Sequence, residues 1–280
     1  MPDIICEREQ IQKAVCGDRE ALGIVLSSVQ DRVFSLSLRM LGTIPDAEDA
    51  AQEILVKVMT NLSSFRMESR LSTWVFRIAS NHLRSYRKGA FAQRPLSFEY
   101  YGEDIASGRE KDVPDMSGGV EEELLARELK LSCTNVMLQC LDAENRCIYI
   151  LGTMFRLDSR VAAEVLDLTP EAYRQRLSRA RARMAAFLGE YCGLGGGTCA
   201  CKQRIHYAVA AHRLDPRDLC YQTLGTCGYD ALANCARAMD EVDAQSQVFA
   251  GLPAYRAPEK AAVRIRELLA QKSFAEVLHG

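Results

Sequence analysis

Five arginines, Arg174, Arg176, Arg179, Arg181 and Arg183, fall within ten residues, and no Asp or Glu occurs between Ala172 and Gly189. A guanidinium is planar and permanently charged, so it can grip a phosphate or the edge of a guanine with two hydrogen bonds. The competing reading is an Arg-rich solvated helix face. A second group interleaves Trp74, Phe76 and Tyr86 with Arg70, Arg77, Arg84, Arg87 and Lys88. Cations tracking phosphates beside rings that stack on exposed bases, at about 1–3 kcal/mol per base, suit single-stranded nucleic acid. Trp74 and Phe76 as ordinary core residues is the alternative. A third group is Cys192, Cys199 and Cys201 around a glycine run. Closely spaced thiolates can wrap a zinc ion, with His206, Cys220 or Cys227 as a fourth ligand. A redox-sensing thiol pair, or no special role, remains open. The chain offers no His/Glu metal cluster, nucleophile constellation or phosphate-cradling loop, so no enzyme is expected.

These groups need helices to present them. Almost no segment alternates apolar and polar residues with period two, which predicts an all-α chain. The arginines lie on the second of two helices, about 159–166 and from 170 onward, joined by Asp167-Leu168-Thr169. Thr169 is the expected N-cap, with Pro170 and Glu171 behind it. Tyr173, Leu177, Ala180, Met184 and Phe187 then form an apolar stripe. Short helix, turn and basic helix is the layout that sets the second helix in the major groove. Asp167 occupies the turn position usually held by Gly.

Upstream, a short helix is expected over 3–16. A second begins after Asp18, buries Leu22, Leu26, Val29, Val33, Leu36 and Met40, and ends at Gly42. A third starts at Pro45, buries Ala47, Ala51, Ile54, Val58 and Leu62, and presents Asp46, Asp49 and Glu53 outward. Those acids compensate the helix dipole or dock a basic partner helix. A polar loop, 65–69, leads to the aromatic-basic helix 71–88. Further helices are expected from 121, over 143–156, near 203–213, over 229–250, and from Pro258. Cys133, Cys140 and Cys147 read as small buried hydrophobes.

DAEDAAQEILVKVM at 46–59 followed by FRMESRLSTWVFRIASN at 65–81 resembles region two of the extracytoplasmic-function sigma factors of bacterial RNA polymerase. The 159–187 segment is similar to region four of that family. The resemblance covers about residues 10–90 and 122–190. It implies that Asp46, Asp49, Gln52 and Glu53 lie near the core polymerase. It implies that Arg66, Met67, Glu68 and Ser69 form a pocket for a base flipped from the melted −10 element. Trp74, Arg77, Asn81 and Arg84 would line the non-template strand, and Arg174, Gln175, Ser178 and Arg179 would meet the duplex −35 element. The chain departs from the family with Met67 where Gly is common, with Arg70, and with Tyr173 in place of a small aliphatic residue. The alternative is a helix-turn-helix regulator that binds duplex DNA without polymerase.

The implied organisation is 1–90 for region two, 91–119 for an acidic linker, 120–190 for region four and 191–280 for a Cys-containing helical extension. From Ser97 to Glu123 nine acids face two bases, and Gly102, Gly108, Pro114, Gly118 and Gly119 argue against regular structure. The extension is expected to pack on both DNA-binding domains and regulate them, or to be a stabilising appendage. A net charge of −2 hides this segregation. Charges near the N-terminus, and no apolar run of membrane-span length, predict a cytoplasmic protein without a membrane partner.

Overall fold

Local signals set the helix starts and stops. Asp18 accepts from the backbone N–H groups of Glu20 and Ala21 at 2.9 and 3.1 Å, opening the helix Arg19–Leu41. Gly42, at φ 83°, ends that helix with its N–H bonded to Leu38 O at 2.8 Å, a left-handed cap that glycine adopts at least cost. Thr43 then caps Ile44–Thr60. The computed structural model of the 280-residue chain describes residues 2–107, 115, 117–224, 226–227, 249, 252–259, 263 and 267.

The helices are α1 (Pro2–Val15), α2 (Arg19–Leu41), α3 (Ile44–Thr60), α4 (Leu71–Ser85), α5 (Ala90–Gln93), α6 (Phe98–Ser107), α7 (Glu122–Leu138), α8 (Ala143–Tyr149), α9 (Ser159–Val165), α10 (Pro170–Tyr191), α11 (Ile205–Ala210) and α12 (Cys220–Thr223). Among the described residues the only sheet is a two-residue antiparallel pair, β1 (Thr226–Cys227) with β2 (Ala254–Tyr255). The all-α expectation holds. α1 to α4 bundle around Leu22, Leu26, Val33, Phe34, Ile54, Val58, Val75 and Phe76, all buried. α7 to α10 form the second bundle. The apolar cluster runs without a break from one bundle into the other.

Arg146 stitches the bundles together. Its guanidinium donates to Leu138 O, Met40 O, Gln139 O and Leu141 O at 2.6–3.2 Å. It thus serves the C-terminal carbonyls of both α2 and α7, where helix dipoles favour a cation. Burial lowers its pKa to about 10, which leaves it charged at neutral pH. Gln139 adds a side-chain bond to Arg39 O at 3.1 Å.

Several expectations need correction. The linker contains regular structure: α5 and α6 lie inside it, and Tyr101 and Ile105 of α6 are buried. The segment 143–156 is a seven-residue α-helix, Ala143–Tyr149, followed by a π turn, 150–154. The 71–88 helix stops at Ser85, and Leu62 sits in a 3-10 turn beyond α3, though still buried. One helix, Arg19–Leu41, is long and apolar enough to cross a membrane by length and composition, with two-thirds of that stretch inside the core. The expected helix 203–213 is a 3-10 turn followed by the shorter α11. Most of the helices expected over 229–250 and from Pro258 lies outside the described residues.

Candidate nucleic-acid interface

The helix-turn-helix forms as its sequence predicts. Thr169 Oγ1 accepts from Ala172 N–H at 3.2 Å, and Asp167 adopts φ 55° in the turn where glycine is usual. Tyr173 is fully buried and its hydroxyl donates to Ile148 O at 3.3 Å. Room for it comes from Gly152 in the π turn, where an added Cβ would lie 2.5 Å from that hydroxyl. The bulky residue at this position is therefore accommodated by the helix beneath, a use of π geometry that sequence spacing does not reveal.

The five arginines do not form one uniform face. Arg176 pairs with Glu144 at 2.9 Å, Arg181 donates to Thr153 Oγ1 and Gly152 O, and Arg183 stacks over the Phe98 ring at 5.1 Å. Arg174, Gln175, Ser178 and Arg179 are exposed on the remaining face. The four residues singled out for duplex contact are all exposed, as is Arg183, which lies over Phe98.

On the first bundle, Met67 stands at φ 57°, a left-handed conformation at the loop position where glycine is common. Its side chain packs on the core, while Arg66 and Glu68 are exposed. Trp74 is half-buried against Phe65, ring centroids 5.2 Å apart, and Phe76 is core, against Phe155. Asn81 Oδ1 accepts from Arg84 at 2.6 Å. Arg77 crosses to the other bundle: it donates to Glu164 O at 2.7 Å and lies 3.8 and 3.7 Å from the Glu164 and Asp167 carboxylates. A candidate single-strand contact is occupied by the helix-turn-helix itself.

The acidic face of α3 is mixed. Asp46 accepts from Thr43 Oγ1 at 2.7 Å and from Ala90 N–H at 3.0 Å, so it caps structure on both sides. Glu53 accepts from Lys88 at 2.8 Å, a bond that holds its carboxyl below the usual value. Beside it, burial and the Lys57 charge lower the His82 pKa, and Lys57 lies 2.9 Å from His82 Nδ1. Asp49 is exposed and Gln52 half-buried.

The C-terminal extension touches both bundles. Glu128 of α7 accepts from the backbone N–H groups of Tyr221 and Gln222 at 2.8 and 3.1 Å, and Tyr221 donates to Gly42 O at 3.3 Å. Arg39 of α2 donates to Pro253 O at 2.8 Å, and Asp31 accepts from Ala257 N–H at 2.9 Å. Phe249 and Tyr255 are buried, Phe249 edge-on to Tyr149 and Tyr255 under Arg39. Asp104 of α6 receives Arg204 and Tyr207 at 3.2 and 3.0 Å, and Arg213 as well. Burial pushes the Asp104 carboxyl up, but these donors outweigh it and leave it below its usual value. Sequence marked Asp104 only as one of the linker's acids, and it did not single out Glu128 or Arg146. The apolar spacing of Phe98, Tyr101 and Ile105 was the available signal for the first.

Cys140 and Cys147 are buried, as expected, and burial raises their pKa values to about 12 and about 11. Cys133, half-buried, lies 3.0 Å from the Tyr101 hydroxyl. Among the described residues no group of three or more His, Cys, Asp or Glu is placed to hold a metal ion. The zinc reading of Cys192, Cys199 and Cys201 has no support there. His206, one possible fourth ligand, faces Asp115 at 3.7 Å, and the Cys227 side chain lies outside the described residues.

The sigma-70 region 2 family model matches residues 25–90. The ECF RNA polymerase sigma factor SigW of Bacillus subtilis is 26% identical over 176 residues, 62% of this chain and 92% of SigW. The RNA polymerase sigma factor CnrH of Cupriavidus metallidurans is 31% identical over 145 residues, 51% of this chain and 73% of CnrH. The solved structure of CnrH in complex with the cytosolic domain of CnrY covers 65% of this chain and 96% of that one, at 23% identity and a TM-score of 0.46.

Proposed function

Because the chain belongs to the extracytoplasmic-function sigma factors of bacterial RNA polymerase, proteins of transcription initiation, we propose that it docks on the core enzyme in the cytoplasm and selects promoters through its two bundles. Arg174, Gln175, Ser178 and Arg179 read the duplex −35 element. The loop Arg66–Ser69 captures a base of the opened −10 element, and Trp74, Arg77, Asn81 and Arg84 track the displaced strand. Asp49, with Asp46, Gln52 and Glu53, faces the polymerase. Extracting a base costs a few kcal/mol, which a pocket and stacking repay, so no ATP and no catalytic residue are required. The observation that carries this reading is the placement of α10: Arg176 and Arg181 are tied to the helices beneath and Arg183 lies over Phe98, while Arg174, Gln175, Ser178 and Arg179 are exposed together on one face. Permanganate probing of promoter thymines tests it. Strand opening is expected only when this chain and core polymerase are both present. Protection of duplex half-sites by the chain alone would favour the ordinary regulator.

The same geometry supports an intramolecular restraint. Elements named −35 and −10 are separated by about 85 Å of duplex at roughly 3.4 Å per base pair. A folded chain of this length has a radius of gyration of about 19 Å. With Arg77 hydrogen-bonded to the helix-turn-helix, the two surfaces are too close to engage both elements. We infer that this is a resting arrangement, held by Tyr221 and Gln222 on α7 and by Pro253 and Ala257 on α2, and that the bundles separate on the polymerase.

A further inference from the structure

The loop that closes the recognition helix brings two thiols into register. α10 ends at Tyr191, and Cys192 is its C-terminal cap, with its N–H bonded to Leu188 O. The chain then turns through the glycine run and returns alongside itself. Cys199 N–H donates to Tyr191 O at 3.0 Å, and Gly193 N–H donates to Cys199 O at 3.0 Å. Cys192 and Cys199 are therefore facing partners of a parallel backbone bridge.

The glycines make this approach possible. A Cβ on Gly193 would lie 2.2 Å from Cys199 O, and one on Gly197 would lie 2.5 Å from Cys192 N. Neither segment could close with side chains at those positions. Facing residues of adjacent strands are about 4.8 Å apart, within the roughly 4.4–6.8 Å between Cα atoms that a disulfide spans. Cys192 is buried and Cys199 half-buried, and neither is in a disulfide. The geometry thus sets a half-buried cysteine against a buried one. Disulfides in a reducing compartment are typically transient and redox-sensing, which fits a pair held ready but unbonded.

We propose that Cys192 and Cys199 are a thiol-modification site that a low-molecular-weight disulfide converts to a reversible intramolecular disulfide. The Cys199 thiolate attacks one sulfur of the reagent. A Cys199–reagent bond forms, the reagent's own S–S bond breaks, and the departing thiolate takes up the proton that Cys199 lost. Cys192, deprotonated in turn, attacks Cys199 Sγ, forms the Cys192–Cys199 bond and releases the second reagent thiol. Two protein thiols are oxidised and one small disulfide is reduced to two thiols. The product fastens the end of the recognition helix to the start of the extension.

The test is peptide mapping of the full-length chain, fully reduced, exposed to glutathione disulfide and then alkylated, without reductant. The expected major product is a Cys192–Cys199 cross-link that dithiothreitol reverses. A Cys192→Ser variant is expected to stop at glutathionylated Cys199. Reaction confined to Cys199–Cys201 or other pairs, or no cross-link at glutathione disulfide concentrations that modify exposed Cys16, would overturn the assignment. The wild-type map decides the matter even where the variant folds poorly.

Discussion

Arg146 and Arg77 both bridge the two bundles, yet losing them should cost very different amounts. Arg146 is largely buried and is the hydrogen-bond donor to four carbonyls at two helix ends. Replacing it with Met strands several buried acceptors at about 1–3 kcal/mol each, so a loss of about 3 kcal/mol or more is expected in urea unfolding. The Arg77 side chain is 42% exposed, and its ion pairs are screened. Arg77→Met should change stability by less than about 1 kcal/mol. Glu128 offers a test by pH. Burial raises its pKa above the ordinary glutamate value, outweighing the N–H donors of Tyr221 and Gln222. A raised carboxyl contributes stability that is present below the unfolded pKa and lost as pH rises through the folded one. The stability of wild type relative to Glu128→Gln should therefore fall as pH rises above the ordinary glutamate range, as read from paired denaturation curves. On α10, Arg174→Ala should weaken −35 duplex binding by about 1–3 kcal/mol. An equal loss from Arg183→Ala, which stacks on Phe98, would contradict the assigned face.

Helices whose caps and periodicity agree were legible in the sequence. Asp18, Gly42 and Thr169 act as written, and even the left-handed Asp167 was marked by its place in the turn. The linker was not legible, for a physical reason. Gly102 and the surplus of acids read as chain breakers, but Gly102 sits in α6 because a side chain there would collide with Tyr191, 2.5 Å away. One acid, Asp104, has only 10% of its side chain exposed; it anchors Arg204, Tyr207 and Arg213 of the extension. Composition reports average solvation, whereas a helix is decided by which few residues find a partner. The basic faces misled in the same way, since three of five α10 arginines and Arg77 are engaged within the chain. The strap over α2 should respond to its anchors. Truncating Phe249 and Tyr255 to Ala removes two buried rings, each worth about 3–5 kcal/mol in a core. Faster hydrogen exchange in the strap at Tyr221 and Gln222, and tighter −35 duplex binding, are expected. Unchanged exchange would exclude a restraining role.

At the scale of the molecule, a balanced net charge conceals an exposed Arg174–Arg179 face, an acidic α3 and a continuous core that joins the two helical bundles. Affinity for DNA should therefore come from local patches and fall steeply with salt, with a slope set by the few phosphate contacts they make. Family membership supplies the biological context, and the Arg77 contact with the helix-turn-helix supplies the tension: a residue expected on the single-strand path is bonded to Glu164 at the foot of the other bundle. The most direct test of the central claim is run-off transcription by core polymerase over a promoter library, with and without this chain. The account predicts discrete start sites that appear only with the chain and are lost in an Arg174→Ala/Arg179→Ala variant. Start sites indifferent to its presence would contradict it.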